Sequence, residues 1–118
     1  MITSTQTVSP TPINAVRGGQ GILFQQILVE DRPGSSIRAV VVNRLLPGCT
    51  VGLHTHHGEE DFYYCLSGEG VVVDNGTEHP FTPGTLQITR DGESQAVRNT
   101  GAQDLVLLAA LVTVQKCA

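Results

Sequence analysis

The sequence predicts an all-β protein, a small antiparallel β-barrel, on three observations. Runs rich in β-branched and aromatic residues recur at 21–29 (GILFQQILV), 37–46 (IRAVVVNRLL), 62–67 (FYYCLS), 71–74 (VVVD) and 105–114 (LVLLAALVTV), the composition that suits a pleated, half-buried surface. Between them stand RPGS, LPG, SGEG, NG, TPG, RDGE and NTG, turn signals at roughly the 8 to 12 residue spacing of sandwiches and barrels. No stretch repeats its apolar residues at the helical period.

Taken in order, the Thr/Ser/Pro-rich start reads as a loose arm over residues 1–14, and RGGQG as a turn into the first strand. In VVVDNGTEHPF, Asn75-Gly76 lies between alternating runs and supplies the two positive-φ residues of a tight type I′ hairpin. The apolar last run, LVLLAALV at 105–112, reads as a buried element, because a bilayer span needs about 20 such residues.

At 118 residues the chain has the size of one domain with one core. Hydrophobic residues make up 40% and charged residues 15%, spread singly, which is the composition of a folded globule. Seven Lys and Arg scattered through a chain of net charge −4 form no stripe to neutralise phosphates, which argues against nucleic acid as a partner. The start lacks the basic and apolar regions of a secretory signal. Cys49, Cys65 and Cys117 are odd in number and show no CxxC spacing, so free buried thiols in a reducing compartment are expected. These features together point to a cytoplasmic protein without membrane contact.

HTHHGEED, residues 54–61, carries the chemistry. On a strand, side chains two apart share a face, so His54 and His56 can aim imidazole nitrogens at one ion while Thr55 faces away. A short loop through His57, Gly58, Glu59 and Glu60 then returns the chain and brings Asp61, the first residue of the next strand, beside the pair. His57, Glu59 and Glu60 are read as solvated loop residues. Glu60 stays a rival carboxylate, since a one-residue shift of the strand start would turn it inward instead.

The stretch resembles the first motif of the cupins, G-x5-H-x-H-x3/4-E-x6-G. Gly48, His54, His56, Asp61 and Gly68 match its spacing, with Asp in place of Glu. The second cupin motif, G-x5-P-x-G-x2-H-x3-N, is similar in spacing to Gly84, Arg90, Gly92, Gln95 and Asn99, with Arg for Pro and Gln for His. The resemblance covers residues 48–99 and implies a jelly-roll-like barrel, a double-stranded β-helix. It also implies a divalent metal, Fe, Mn, Ni or Zn, held by His54, His56, Asp61 and Gln95, and a homodimer. Asp reaches less far than Glu, and Gln95 offers an amide oxygen instead of an imidazole nitrogen, which tilts the site towards harder ions. Two histidines and a carboxylate remain, the composition of the triad that leaves open positions on non-haem iron.

If Asp61 points inward, alternation turns Tyr63 and Cys65 inward and Phe62, Tyr64 and Leu66 outward. Tyr63 is the candidate catalytic acid, and Cys65 a candidate wall of the substrate pocket. Cys65 is no evident nucleophile, since nothing nearby would lower its pKa. Arg98 is the candidate carboxylate clamp, with Arg38 and Arg90 as alternatives. Asn99 and Gly101 look like a structural turn, and His79 is read as exposed. The outward aromatic face and the apolar last strand suggest self-association. The function read from these features is a small-molecule metalloenzyme of dioxygenase, isomerase or lyase type. The alternative is a non-catalytic module that binds or senses a small organic ligand.

Overall fold

The computed structural model describes residues 1–114. It contains ten strands: β1 (Thr11–Asn14), β2 (Ile22–Glu30), β3 (Ile37–Leu45), β4 (Thr50–Thr55), β5 (Glu59–Ser67), β6 (Gly70–Asp74), β7 (Thr77–Phe81), β8 (Leu86–Thr89), β9 (Ser94–Asn99) and β10 (Leu105–Thr113). They form a six-stranded sheet, ordered β1-β2-β3-β10-β5-β8, facing a four-stranded sheet, ordered β4-β9-β6-β7. Every pairing is antiparallel. This is the all-β architecture that the strand and turn pattern predicts, in the jelly-roll arrangement that the resemblance to the cupins implies. No helix among the described residues is long and apolar enough to cross a membrane.

The Asn75-Gly76 hairpin forms as expected: φ is 46° and 92° at the two residues, and Asp74 lies directly opposite Thr77. Strand β5 alternates as read, with Asp61, Tyr63 and Cys65 buried and Tyr64 and Leu66 exposed. Two boundaries differ from the sequence expectation. Strand β5 starts at Glu59, because the turn from β4 is confined to His56–Gly58. The arm expected over 1–14 also ends early, since Thr11–Asn14 pairs with β2. The side-chain amide of Gln26 donates to the carbonyls of Thr5 and Val8, each at 2.7 Å, and so ties down the residues before β1.

Between the sheets, Leu23, Leu45, Val72, Phe81, Val97, Leu105 and Leu107 pack as a fully buried apolar core. Burial of each such side chain contributes roughly 1.5 to 3 kcal/mol. Asn99 closes this end as the sequence suggests. It is buried, donates to the carbonyls of Leu45 and Gln103 and accepts from the Gly101 amide. Further along β2, β3 and β10, the interior opens into a cavity. Cys49 and Cys65 are free buried thiols, and Cys117 lies outside the described residues.

Candidate metal centre

The chelate is set up by an irregularity in β4. Val51 lies opposite Val97 and His54 opposite Gln95, so one extra residue of β4 is accommodated between the two pairs. Such a bulge resets the alternation of side chains. Val51 and His54, three apart, both line the cavity, and Leu53 is left 66% exposed. His56, just past the strand end, follows His54 inward and is buried.

Both imidazoles are held through Nδ1. His54 Nδ1–H donates to the Gly52 carbonyl at 2.7 Å, and His56 Nδ1–H donates to Glu59 Oε1 at 3.0 Å. This tautomer makes Nε2 of each ring the acceptor nitrogen, the lone pair that a metal-binding histidine uses. The rings meet edge to face with centroids 4.9 Å apart. Asp61 Oδ2 is 3.4 Å from His56 Nε2, and one ligand atom each from His54, His56 and Asp61 lies within 4.8 Å of the others. Glu60 is exposed and Asp61 buried, so it is Asp61 that lies beside the two histidines.

The electrostatics suit a cation. Burial lowers the pKa of His54, with the charges of Arg17 and His56 adding to it against the hydrogen bond to Gly52, so the ring is neutral and free to ligate. Burial pushes the Asp61 carboxyl up to about 6, opposed by the Gln95 hydrogen bond and by His56 and reinforced by the charge of Glu59. A positive ion at the convergence point would compensate that desolvation. A neutral His54 imidazole, a His56 imidazole tied at Nδ1 and a buried carboxylate therefore fit a divalent metal, which these three residues would hold with positions left for a ligand.

The cavity beside this triad has a volume of about 220 Å³. Its walls are Ile27, Val41, Val51, Ala109 and Leu111, with Gln25, Asn43 and Tyr63 as polar members. Burial and the nearby Asp61 charge raise the pKa of the Tyr63 phenol far above its usual value, so it keeps its proton.

The other residues singled out in the sequence lie elsewhere. Cys65 is buried in the apolar core, its thiol directed at the carbonyls of Ser67 and Gly68, and it does not line the cavity. Arg98 does not reach it either: one step from Val97 along β9, it faces the outside of the sheet and pairs with Glu78 at 2.8 Å. Arg38 pairs with Asp31 at 3.0 Å and approaches Glu59 at 3.8 Å. Arg90 and His57 are exposed, as is His79. Glu59 is no free loop charge, since it is the partner that orients His56. A carboxylate three residues after a ligand histidine was the available sequence signal.

Arg17 is the one Lys or Arg among the described residues that lines the cavity. It sits in a short 3-10 turn (Val16–Gly18) in the left-handed region, φ 55°, as does Ala15 before it. That conformation costs a non-glycine residue about 1 to 3 kcal/mol and persists only where packing imposes it. Packing here is close: a Cβ at Gly52 would collide with the Arg17 carbonyl oxygen, and one at Gly19 with that of Thr50. Gly52 thus serves both the turn that carries Arg17 and the carbonyl that orients His54.

Comparison with known proteins agrees with this reading of the fold. The family model described as "Cupin domain" matches residues 41–111. The chain is 37% identical over 113 residues to the "Oxalate-binding protein" of Thermotoga maritima, covering 95% of this chain and 93% of that one. A crystal structure of a "predicted oxalate decarboxylase" from Thermotoga maritima superposes with a TM-score of 0.92 at 36% identity, covering 97% of this chain and 100% of that one. KdgF from Halomonas sp. shares the fold at a TM-score of 0.80 and 10% identity, covering 98% and 96%.

Proposed function

This chain belongs to the cupin family, and from that premise we propose that it binds a divalent metal on His54, His56 and Asp61 and, through the metal, a small dicarboxylate of the oxalate type. The observation that carries the reading is Arg17, which lines the cavity from a left-handed turn, beside the cluster of His54, His56 and Asp61 in about 220 Å³ of space. A bound ion would supply the Lewis-acid charge that a chelating carboxylate needs. Arg17 would hold the second carboxylate by paired hydrogen bonds, while Ile27, Val41 and Leu111 exclude a longer chain. Glu30 and Asp61 also line the cavity, so without metal two carboxylates outweigh one guanidinium and repel a dianion. A divalent ion reverses that sign. Two nitrogen ligands and a carboxylate, with no thiolate, favour manganese or iron(II). The name of the Thermotoga maritima relative agrees with this ligand class.

Calorimetric titration with oxalate tests the proposal. Manganese-loaded protein should bind it, metal-free protein should not, and Arg17→Ala should weaken binding by roughly 10- to 100-fold, the size of a charged hydrogen bond. Arg98→Ala should leave binding unchanged. Equal binding with and without metal, or by wild type and Arg17→Ala alike, would overturn it.

Turnover of the same ligand, of lyase type, is the second reading, favoured by the protonated Tyr63 phenol at the cavity wall. Here Tyr63→Phe should abolish formate production from ¹³C-oxalate, followed by NMR, and leave oxalate affinity intact. Absence of formate from the wild type would leave the binding function alone. Phe62, Tyr64, Leu66, Leu86 and Ile88 lie together on the outer face of β5 and β8, most of them exposed, and suit a homodimer contact. Sedimentation of the wild type as a monomer would exclude it.

A further inference from the structure

Gln95 stands where the second cupin motif has histidine, and its amide nitrogen faces the chelate. Nε2 is 2.7 Å from Asp61 Oδ2, 2.9 Å from His56 Nε2 and 3.3 Å from His54 Nε2. An amide nitrogen has no free lone pair, so in this orientation it donates and does not ligate. The reverse orientation would present a carbonyl oxygen, a fair ligand for a hard ion. Something must choose between two nearly isosteric arrangements.

The choice can be traced outward through three further residues. Gln95 Oε1 accepts from the Thr89 hydroxyl at 2.7 Å. A hydroxyl has one proton, and that proton is directed at Gln95 because Thr89 Oγ1 itself accepts from Gln87 Nε2 at 2.7 Å. The Gln87 amide is oriented in turn by Asp74, whose Oδ1 accepts the other Nε2 hydrogen at 3.1 Å. Turning Gln87 over would set its oxygen against a carboxylate and leave its two N–H groups without these acceptors. Gln95, Thr89 and Gln87 are all buried, so water does not readily scramble the sequence of donors. The present arrangement carries a penalty: Gln87 Oε1 is buried with no partner, which costs about 1 to 3 kcal/mol. Packing alone gives no reason to keep such an orphan. A one-way chain of donors running from Asp74 to the chelate does.

We propose that Asp74, Gln87 and Thr89 are positioning residues that fix the Gln95 amide with its NH2 group towards His54, His56 and Asp61, making Gln95 a hydrogen-bond donor at the metal centre and not a metal ligand. The centre is then a three-ligand site, and its fourth protein group holds Asp61 or an oxygen atom of a bound anion. This rests on the metal reading only for its consequence, because the orientation of the amide is a property of the metal-free protein.

NMR and metal titration on three proteins test it: wild type, Thr89→Val, which keeps the shape and removes the hydroxyl, and Thr89→Ser, which restores the hydroxyl. In metal-free wild type and Thr89→Ser, the Gln95 NH2 protons should exchange slowly, and Gln95 Nε2 should show a scalar coupling across its hydrogen bond to His56 Nε2. On adding zinc to either, the Gln95 carbonyl carbon should keep its chemical shift. Thr89→Val frees the oxygen to turn towards the ion, so its manganese affinity should rise, by up to about tenfold for one hydrogen bond released, and the carbonyl carbon should move on adding zinc. Absence of the cross-bond coupling in metal-free wild type overturns the proposal. So does a zinc-induced shift of the wild-type carbonyl carbon, or a manganese affinity of Thr89→Val equal to that of Thr89→Ser. Failure of wild type to bind any metal sinks the metal reading, while the coupling still decides the amide orientation. Should Thr89→Val not fold, Gln87→Leu, which removes the donor to Thr89, takes its place with the same expected results.

Discussion

At one end of the barrel Leu23, Leu45, Phe81, Leu105 and Leu107 are fully buried against one another, and at the other the residues equally buried are His56, Thr89 and Gln95. The same strands supply both ends: β5 contributes Cys65 to the first and Asp61 to the second, and β9 contributes Val97 and Gln95. What differs is how each end tolerates its own burial. Apolar side chains gain by leaving water, whereas polar ones lose unless every donor and acceptor is met. The aliphatic end therefore stabilises the fold. The polar end reduces its loss through the hydrogen bonds of His54, His56 and Gln95, and keeps a desolvated carboxylate at Asp61 and an orphaned oxygen at Gln87.

The contrast breaks most visibly on truncation at the apolar end. Phe81→Ala should lose about 3 to 5 kcal/mol of stability by urea denaturation, and the fraction still folded should bind metal normally. A loss below about 1 kcal/mol would mean that this end is not the stabilising one.

Titration of the metal-free protein probes the polar end. Folded Asp61 keeps its proton up to about pH 6, while the unfolded chain releases it near pH ~4. In that window the folded state binds more protons, so stability should fall as pH rises from 4 to 6, by up to about 3 kcal/mol, and then level off. Asp61→Asn should remove the slope. A stability that rises through the window would show the carboxylate to be better solvated than described.

A smaller effect is expected at Glu59. Removing a partner that orients a ligand histidine usually weakens metal binding by about 10- to 100-fold, so Glu59→Ala should do so in a manganese titration and should cost about 1 to 3 kcal/mol of stability, because the buried His56 Nδ1–H loses its acceptor. Unchanged affinity would return Glu59 to the solvated loop.

The two ends were unequally legible in the sequence. Strands β2, β3, β5, β6 and β10 announce themselves because their inward residues are apolar. His54, His56 and Asp61 were legible as well, since a period of two needs only the strand and not its neighbours. Strands β8 and β9 are short, and β9 turns Gln95 and Asn99 inward beside Val97, so its apolar signal is weak although its alternation is intact. Strand β8 turns Gln87 and Thr89 inward and Leu86 and Ile88 outward, so it carries no apolar core signal either. Arg17 was hidden differently: its place at the cavity depends on a left-handed turn seated against Gly52 across 35 residues of chain, which no local pattern reveals. Cys65 shows the converse. Its parity was read correctly, but its depth along the barrel puts it in the core, and depth is set by how the two sheets pack.

Anomalous diffraction from crystals soaked in manganese(II) tests the central point, that His54, His56 and Asp61 converge on one ion. The expected result is a single strong peak within bonding distance of both Nε2 atoms and an Asp61 oxygen, absent from His56→Ala crystals. A peak ligated by other residues, or none between these three in wild type, would contradict it.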